Sequence, residues 1–137
     1  MLPLIVTAAI VVKDGRLLIT RRRSDAPYPL LWEFPGGKLE PEEDPRACLA
    51  RELREELGIE VTVGEVFDVV YHRYPERPVL VLAYYCNWCG GTLQELQVSG
   101  HRWVAPEDLD GFDLLPADMP MAARLRRELG DADNSCL

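Results

Sequence analysis

The chain has 137 residues, of which 47% are hydrophobic, and it carries a formal net charge of −8. This length and composition predict a single domain over 1–137, with its core at about 4–129 and a frayed tail at 130–137. The negative charge argues against a nucleic-acid-binding protein, which normally shows a basic surface, but not against a polyphosphate ligand bridged by metal ions.

The first predicted element is an apolar run at residues 2–12. No Lys or Arg precedes it, and it leads into Lys13-Asp14-Gly15 instead of a small-residue cleavage site, so it does not match a signal peptide. It is also too short to span a bilayer. We therefore predict a buried strand at about 4–13, a cytoplasmic protein and no membrane partner.

The remaining elements alternate between extended and helical patterns. In chain order they are a hairpin turn at Asp14-Gly15, a strand at Leu17–Arg22, a loop containing Pro27 and Pro29, an extended segment at Leu31–Phe34, a helix between Asp44 and Gly58, strands at Val61–Tyr74 and Val79–Trp88, a turn at Gly90–Gly91, a short strand at Trp103–Val104, a helical turn at Pro106–Leu109 and a helix at Asp118–Leu129. Strands interrupted by one central and one terminal helix predict an α/β sandwich.

The central helix combines an apolar side with an acidic side. Asp44 is a suitable N-cap, Pro45 suits the first helical position, and Gly58 suits the C-terminal end. At about 100° per residue, one side presents Ala50, Leu53 and Leu57, and the other presents Glu52, Glu55 and Glu56. Carboxylates at this spacing repel one another. Arg51 and Arg54 flank the acidic stripe, and we expect each to pair with only one carboxylate.

Two interpretations of the acidic stripe remain open on composition alone. It can be an ordinary solvated helix face, or it can hold a cation. The preceding Gly36-Gly37 favours the cation, because two glycines allow a backbone turn that directs a carbonyl toward the stripe. Carboxylate and carbonyl oxygens are hard ligands that suit Mg²⁺ or Mn²⁺.

The cysteines do not form a recognisable metal or disulfide pattern. Cys86 and Cys89 are a lone C-x-x-C pair, whereas a zinc site needs a second ligand pair at suitable spacing. We expect reduced thiols and assign these two residues no role.

Residues 37–59 match a recognised motif at every fixed position. Gly37, Glu43, the triplet Arg51-Glu52-Leu53, the pair Glu55-Glu56 and the final Gly58-Ile59 reproduce the pattern G-x5-E-x7-R-E-U-x-E-E-x-G-U, in which U is apolar. The chain thereby resembles the Nudix hydrolases. The resemblance implies a Nudix fold, with a mixed β-sheet sandwiched between helices. It also implies metal-dependent attack of water on a nucleoside diphosphate linked to another group.

The resemblance assigns roles to the residues that match. The metal ligands would be the Gly36 carbonyl, Glu52 and Glu56, with Glu55 as a further ligand or the general base. Arg51 would orient a glutamate, which places it with the three glutamates among the catalytic residues. Gly37, Glu43 and Gly58 would support the site. Simple helix stabilisation is the alternative for Arg51 and Glu43.

Further segments resemble the MutT-like branch of this family. They are Thr20-Arg21-Arg22, Trp32-Glu33-Phe34-Pro35-Gly36-Gly37 and Leu115-Pro116-Ala117-Asp118-Met119-Pro120. The resemblance implies a nucleoside triphosphate pyrophosphohydrolase that uses Mg²⁺. We expect the protein to be a monomer or a homodimer. The substrate-binding residues would be Arg22, Phe34, Gly37, Lys38 and Asp118.

Two positions depart from that branch. Asp118 stands where the branch members that act on 8-oxo-dGTP carry asparagine. An ionised carboxylate only accepts hydrogen bonds, so it favours the exocyclic amine of cytosine or adenine over the carbonyl of guanine. The alternative is that Asp118 merely caps the last helix. Gln97 stands where the branch usually places a loop glutamate that reaches the metal. Either Glu95 replaces that ligand, or the site has one metal ligand fewer.

The sequence therefore predicts hydrolysis of a nucleoside triphosphate to a monophosphate and pyrophosphate, with a cytosine or modified base favoured. Two other functions remain as alternatives. One is hydrolysis of another nucleoside diphosphate derivative such as ADP-ribose. The other is a non-catalytic nucleotide-binding module, which would be expected to lose at least one of Glu52, Glu55 and Glu56.

Overall fold

The computed structural model describes residues 2–130, so the predicted frayed tail at 130–137 lies outside the described residues except for Gly130. The strands are β1 Leu4–Lys13, β2 Arg16–Arg21, β3 Trp32–Glu33, β4 Gly36–Lys38, β5 Ile59–Arg73, β6 Pro78–Gly91 and β7 Gly100–Val104. The α-helices are α1 Pro45–Leu57 and α2 Met119–Leu125, accompanied by 3₁₀ turns at Pro106–Gly111 and Pro116–Asp118 and a π turn at Arg126–Gly130. No helix in the described range is long and apolar enough to cross a bilayer.

The strands form a mixed sheet with β1 near its centre. β1 runs parallel to β6 and antiparallel to β2 and β4, β5 lies antiparallel beyond β6, and β3 and β7 both pair with β2. Alternate residues of β1 point to opposite faces. Ala9 and Val11 join the core under α1, whereas Ala8 and Ile10 join the core under α2. The predicted sandwich of a mixed sheet between helices is confirmed.

Helix α1 begins and ends as its sequence predicts. The Asp44 carboxylate accepts the Arg46 N–H at 2.7 Å, and Pro45 occupies the first turn. At the other end Gly58 adopts a left-handed φ of 70°, and its N–H donates to the Arg54 carbonyl at 3.0 Å. The buried apolar side packs on the sheet through Cys48, Leu49, Leu53 and Leu57. The acidic side is therefore directed away from the core.

Two glycine segments differ from the prediction. Gly90 and Gly91 do not turn the chain but extend β6, where they pair with Glu60 and Ile59 of β5. Gly91 has a φ of 77°, and a Cβ there would collide with the Gly58 carbonyl. Glycine is required here because the backbones of β5 and β6 approach closely. A glycine pair of this kind has the same sequence pattern as a turn, which is why a turn was predicted.

Strand β4 was not predicted at all. Gly36, Gly37 and Lys38 pair with Ala8, Thr7 and Val6 of β1. A Cβ on Gly36 would collide with the Thr7 carbonyl, so only glycine allows this pairing. The short strand carries the glycine segment directly to the start of the acidic side of α1.

Candidate active site on helix α1 and the neighbouring strands

A single guanidinium organises most of the carboxylates on α1. The Nε and Nη2 atoms of Arg51 donate to the two oxygens of Glu43 at 2.8 and 3.0 Å. Its Nη1 atom donates to Glu52 at 3.0 Å and to Glu55 at 3.1 Å, and Glu40 lies 3.7 Å from Nη2. These charge-assisted bonds lower the pKa of Glu43 to about 2. Arg51 therefore fixes the orientation of carboxylates from both the helix and the loop before it.

The predicted pairing of the two flanking arginines is wrong. Arg51 contacts Glu52 and Glu55 together, because its planar fork presents several N–H groups at once. Arg54 contacts none of the three glutamates of the stripe and instead pairs with Glu60 on β5 at 2.8 Å. The positive charge beside the acidic stripe is thus concentrated on Arg51.

Glu56 occupies the least solvated position of the acidic side. Burial, followed by the negative charges of Glu33 and Glu52, raises the pKa of Glu56 to about 9. The pKa of Glu52 is also raised, mainly by burial, although Arg51 opposes the shift. Two neighbouring carboxyls that resist ionisation in this way would be stabilised as anions by a bound cation.

Strand β4 leaves space for the side chain of Glu52. A Cβ on Gly37 would overlap the Glu52 carboxylate, so the side chain packs directly against the Gly37 backbone. The Gly37 carbonyl accepts the Thr7 hydroxyl at 3.2 Å, and the Lys38 carbonyl accepts the Cys48 thiol at 3.4 Å. The backbone of β4 is thereby held against the acidic side of α1.

Glu33 and Arg22 form an ion pair near the same carboxylates. The Nη1 atom of Arg22 lies 3.1 Å from a Glu33 oxygen, and both side chains are about three-quarters buried, with 23% and 22% of their surface exposed. Arg22 also donates from Nε to the Pro27 carbonyl at 2.8 Å. No role was predicted for Glu33, although a glutamate between Trp32 and Phe34 in an otherwise apolar segment is a signal for a buried functional charge.

Asp118 is buried and does not cap the last helix. Helix α2 begins at Met119 without a side-chain cap bond from Asp118. The Oδ2 atom of Asp118 instead accepts the backbone N–H of Phe34 at 2.9 Å, and no other hydrogen bond to this carboxylate occurs within residues 2–130. Burial and the charge of Glu33 raise the pKa of Asp118 to about 8. A buried carboxylate with one free oxygen is suited to binding a polar ligand group.

Glu95 lies in the loop before β7, where its carboxylate pairs with a histidine. The Glu95 carboxylate lies 2.7 Å from Nδ1 of His101. The loop itself is anchored to α1, because the N–H groups of Leu96 and Gln97 both donate to the Glu56 carbonyl, at 3.0 and 3.2 Å. The role of Glu95 as a metal ligand stays a prediction.

Cys86 and Cys89 lie apart from this site. Cys86 is buried on β6, where burial raises the pKa of its thiol to about 12, and Cys89 is exposed. The Cys89 thiol lies 3.5 Å from the Glu60 carbonyl.

The donor chemistry at the acidic stripe fits a divalent cation. Within residues 2–130, no three His, Cys, Asp or Glu side chains are already gathered tightly enough to enclose an ion. Glu52, Glu55 and Glu56 nevertheless supply hard oxygen donors on one side of α1, beside a glycine backbone that leaves room for them. A cation would offset the burial and the repulsion that together raise the pKa of Glu56.

The raised pKa of Glu56 leads to a prediction about stability and pH. The protonated carboxyl is favoured in the folded chain up to a pKa of about 9, whereas in the unfolded chain it ionises near 4.5. Without metal, the free energy of unfolding should therefore fall as the pH rises from about 5 to about 9. A divalent cation binds the ionised form, so the increase in melting temperature that it causes should grow over the same range. Thermal unfolding at several pH values, with EDTA or with Mg²⁺ or Mn²⁺, measures both trends. A cation effect that is absent, or that shrinks as the pH rises, would contradict the assignment.

This chain is similar to known proteins in sequence and in structure. A model of the Nudix domain matches residues 1–128. The chain is 41% identical over 116 residues to the CTP pyrophosphohydrolase of Escherichia coli K12, covering 85% of this chain and 86% of that protein. It is 30% identical over 115 residues to the 8-oxo-dGTP diphosphatase of the same organism, covering 84% and 89%. The solution structure of the E. coli ORF135 protein superimposes with a TM-score of 0.80 at 39% identity and covers 93% of each chain.

Proposed function

The chain belongs to the Nudix hydrolase family, whose members generally require a divalent metal ion, and we propose that it hydrolyses nucleoside triphosphates to a monophosphate and pyrophosphate with Mg²⁺. The preferred substrate is a cytosine nucleotide. The observation that carries this choice is the buried Asp118, which accepts the backbone N–H of Phe34 with one oxygen instead of capping a helix and keeps its other oxygen free. The 41% identity to a CTP pyrophosphohydrolase supports the same assignment.

The residues that would hold Mg²⁺ are the Gly36 carbonyl, Glu52, Glu55 and Glu56, with Glu95 as a further candidate. When bound, Mg²⁺ neutralises the polyphosphate, orients it and lowers the pKa of a coordinated water. Mn²⁺ is expected to substitute, because it prefers similar oxygen ligands.

The protein side chains then contribute positioning and proton transfer. Arg51 holds Glu52 and Glu55 in fixed orientations, because its Nη1 atom donates to a carboxylate oxygen of each at 3.0 and 3.1 Å. Glu55 is the most exposed member of the stripe, with 47% of its side chain accessible, so it is well placed to take a proton from water. Arg22 and Lys38 would contact the phosphates. The guanidinium of Arg22 becomes available to a phosphate when the nucleotide displaces Glu33 from it.

Base selection follows from the hydrogen-bonding capacity of Asp118. Its Oδ2 atom accepts the Phe34 N–H, which leaves Oδ1 for the substrate. An ionised Oδ1 accepts from the amine of cytosine and repels a carbonyl in the same position. Binding of that amine would itself favour the ionised carboxylate.

Oxidised guanine nucleotides are a second candidate, favoured by one specific observation. The pKa of Asp118 is raised to about 8, so in the free protein it carries a proton at neutral pH and can donate to a carbonyl. The relative named 8-oxo-dGTP diphosphatase is consistent with this second candidate.

A nucleotide panel with Mg²⁺ distinguishes these candidates. The panel contains CTP, dCTP, 5-methyl-dCTP, dATP, dGTP, 8-oxo-dGTP and ADP-ribose, and the initial rates are compared at equal concentration. Fastest turnover of cytosine nucleotides would support the first candidate, and fastest turnover of 8-oxo-dGTP would support the second. Cleavage of ADP-ribose alone would refute both, and cleavage of nothing would favour a binding module.

The role of Arg51 can be tested with a charge-conserving variant. Arg51→Lys retains one positive charge but cannot contact Glu43, Glu52 and Glu55 together. We expect Mg²⁺ affinity to fall by about 10- to 100-fold, as for other residues that orient metal ligands. The measurement is the Mg²⁺ dependence of the hydrolysis rate and of the melting temperature.

Arg54→Lys is the matched control, because Arg54 lies on the same helix but pairs with the exposed Glu60. It should leave the Mg²⁺ dependence unchanged. Equal Mg²⁺ affinity in the two variants would show that Arg51 only stabilises the helix.

A further inference from the structure

The loop between β2 and β3 is folded tightly around Arg22. The Arg22 N–H donates to the Leu31 carbonyl at 2.9 Å, and the Arg22 carbonyl accepts the Leu30 N–H at 3.2 Å. The guanidinium donates to the Pro27 carbonyl at 2.8 Å. The loop therefore surrounds the arginine proposed to bind phosphate.

Two residues in this loop adopt an unfavourable backbone conformation. Tyr28 has a φ of 52° and Leu30 a φ of 63°, and neither is glycine. A bulky side chain in the left-handed region costs conformational energy, and such residues are retained when surrounding contacts enforce them. For Tyr28 those contacts come from the turn between β5 and β6.

Tyr28 is joined to the turn between β5 and β6. Its ring packs on Tyr74 with centroids 5.0 Å apart, and its hydroxyl donates to Glu76 at 2.8 Å. Tyr74 is buried, and its hydroxyl accepts the N–H of Ala117 at 3.0 Å. Because Ala117 directly precedes Asp118, a continuous series of contacts leads from Tyr28 to the residue proposed to select the base.

We propose that Tyr28 is a specificity-determining residue whose ring forms the outer wall of the nucleobase pocket, held in place by Glu76. This inference rests on the proposed function. The loop begins at Arg22, at the phosphate end of the substrate, and Tyr28 reaches Tyr74, at the Asp118 end. A planar base between those ends meets a half-buried aromatic ring, which suits stacking. Neither Tyr28 nor Glu76 belongs to the motifs that identify the family.

Three variants separate the ring from its hydrogen bond. Tyr28→Ala removes the wall, and we expect the KM for CTP to rise about tenfold or more while kcat changes by less than about threefold. The preference for CTP over UTP should also shrink, because the base can move relative to Asp118. Tyr28→Phe removes the donor and Glu76→Ala removes the acceptor of the same hydrogen bond. Each should raise KM by about threefold, and their effects should combine less than additively.

Tyr71 supplies the matched control. It lies on β5 with 54% of its surface exposed, so Tyr71→Ala and Tyr71→Phe should leave KM and the CTP preference unchanged. Calorimetric titration of CMP in EDTA adds a readout that needs neither metal nor turnover, and Tyr28→Ala should weaken CMP binding about as much as it raises KM.

Two negative results have different meanings. If the wild-type protein hydrolyses none of the nucleotides in the panel, the proposed function fails. If the wild-type protein is active and Tyr28→Ala matches Tyr71→Ala in KM, CTP preference and CMP affinity, only the role of Tyr28 is overturned.

Discussion

Glu56→Gln is expected to lower kcat by about 10³-fold or more, equivalent to roughly 4 kcal/mol of transition-state stabilisation. Glutamine preserves the shape of the side chain but cannot carry the negative charge that the metal requires. The fold should persist, because the wild-type carboxyl is already favoured in its neutral form, with a pKa of about 9. The variant should also lose most of the Mg²⁺-dependent increase in melting temperature.

Glu60→Gln is the control for this experiment. Glu60 is an exposed glutamate that pairs with Arg54 outside the acidic stripe, so its replacement should leave kcat and the Mg²⁺ response intact. If Glu56→Gln retained kcat, the essential metal ligand would have to be a different residue. A variant that unfolds would be uninformative about chemistry, which is why the melting temperature in EDTA is measured alongside.

Asp118→Asn is expected to reverse base selection. The Phe34 N–H needs an oxygen acceptor, so the amide oxygen takes the place of Oδ2 and the NH₂ group takes the place of Oδ1. A donor then faces the base, which opposes the amine of cytosine and suits the carbonyl of guanine. We expect kcat/KM for CTP to fall by about 10²- to 10³-fold relative to 8-oxo-dGTP, since a mismatched buried hydrogen bond is costly.

The pH dependence of the wild-type protein provides an independent check. Asp118 ionises near pH 8 in the free protein, so the ratio of kcat/KM for CTP to that for 8-oxo-dGTP should rise through this pH and be flat in Asp118→Asn. Asp110→Asn changes an exposed aspartate outside the site and should leave this ratio and its pH dependence unchanged. An unchanged substrate ratio in Asp118→Asn would show that Asp118 does not contact the base.

Local signals made helix α1 and its acidic side predictable. The helix boundaries follow from Asp44, Pro45 and Gly58, each of which acts within one turn of its own position. The separation of Leu53 and Leu57 from Glu52, Glu55 and Glu56 follows from helical periodicity alone. The family motif adds fixed spacing, so the part of the site on the helix could be located without coordinates.

Long-range contacts explain what the sequence did not reveal. Strand β4 consists of two glycines and a lysine, which have little intrinsic preference for a strand, and it forms because β1 approaches closely. Arg51 reaches Glu43 only because the preceding loop folds back on the helix. The burial of Glu33 and the contact between Tyr28 and Glu76, 48 residues apart, likewise arise from tertiary packing.

Product identification from CTP in the presence of Mg²⁺ tests the central proposal most directly. The wild-type protein is expected to release CMP and pyrophosphate, and Glu56→Gln is expected to release neither at a measurable fraction of that rate. Release of CDP and phosphate would contradict the proposed reaction. Equal release of CMP and pyrophosphate by Glu56→Gln would contradict the proposed site.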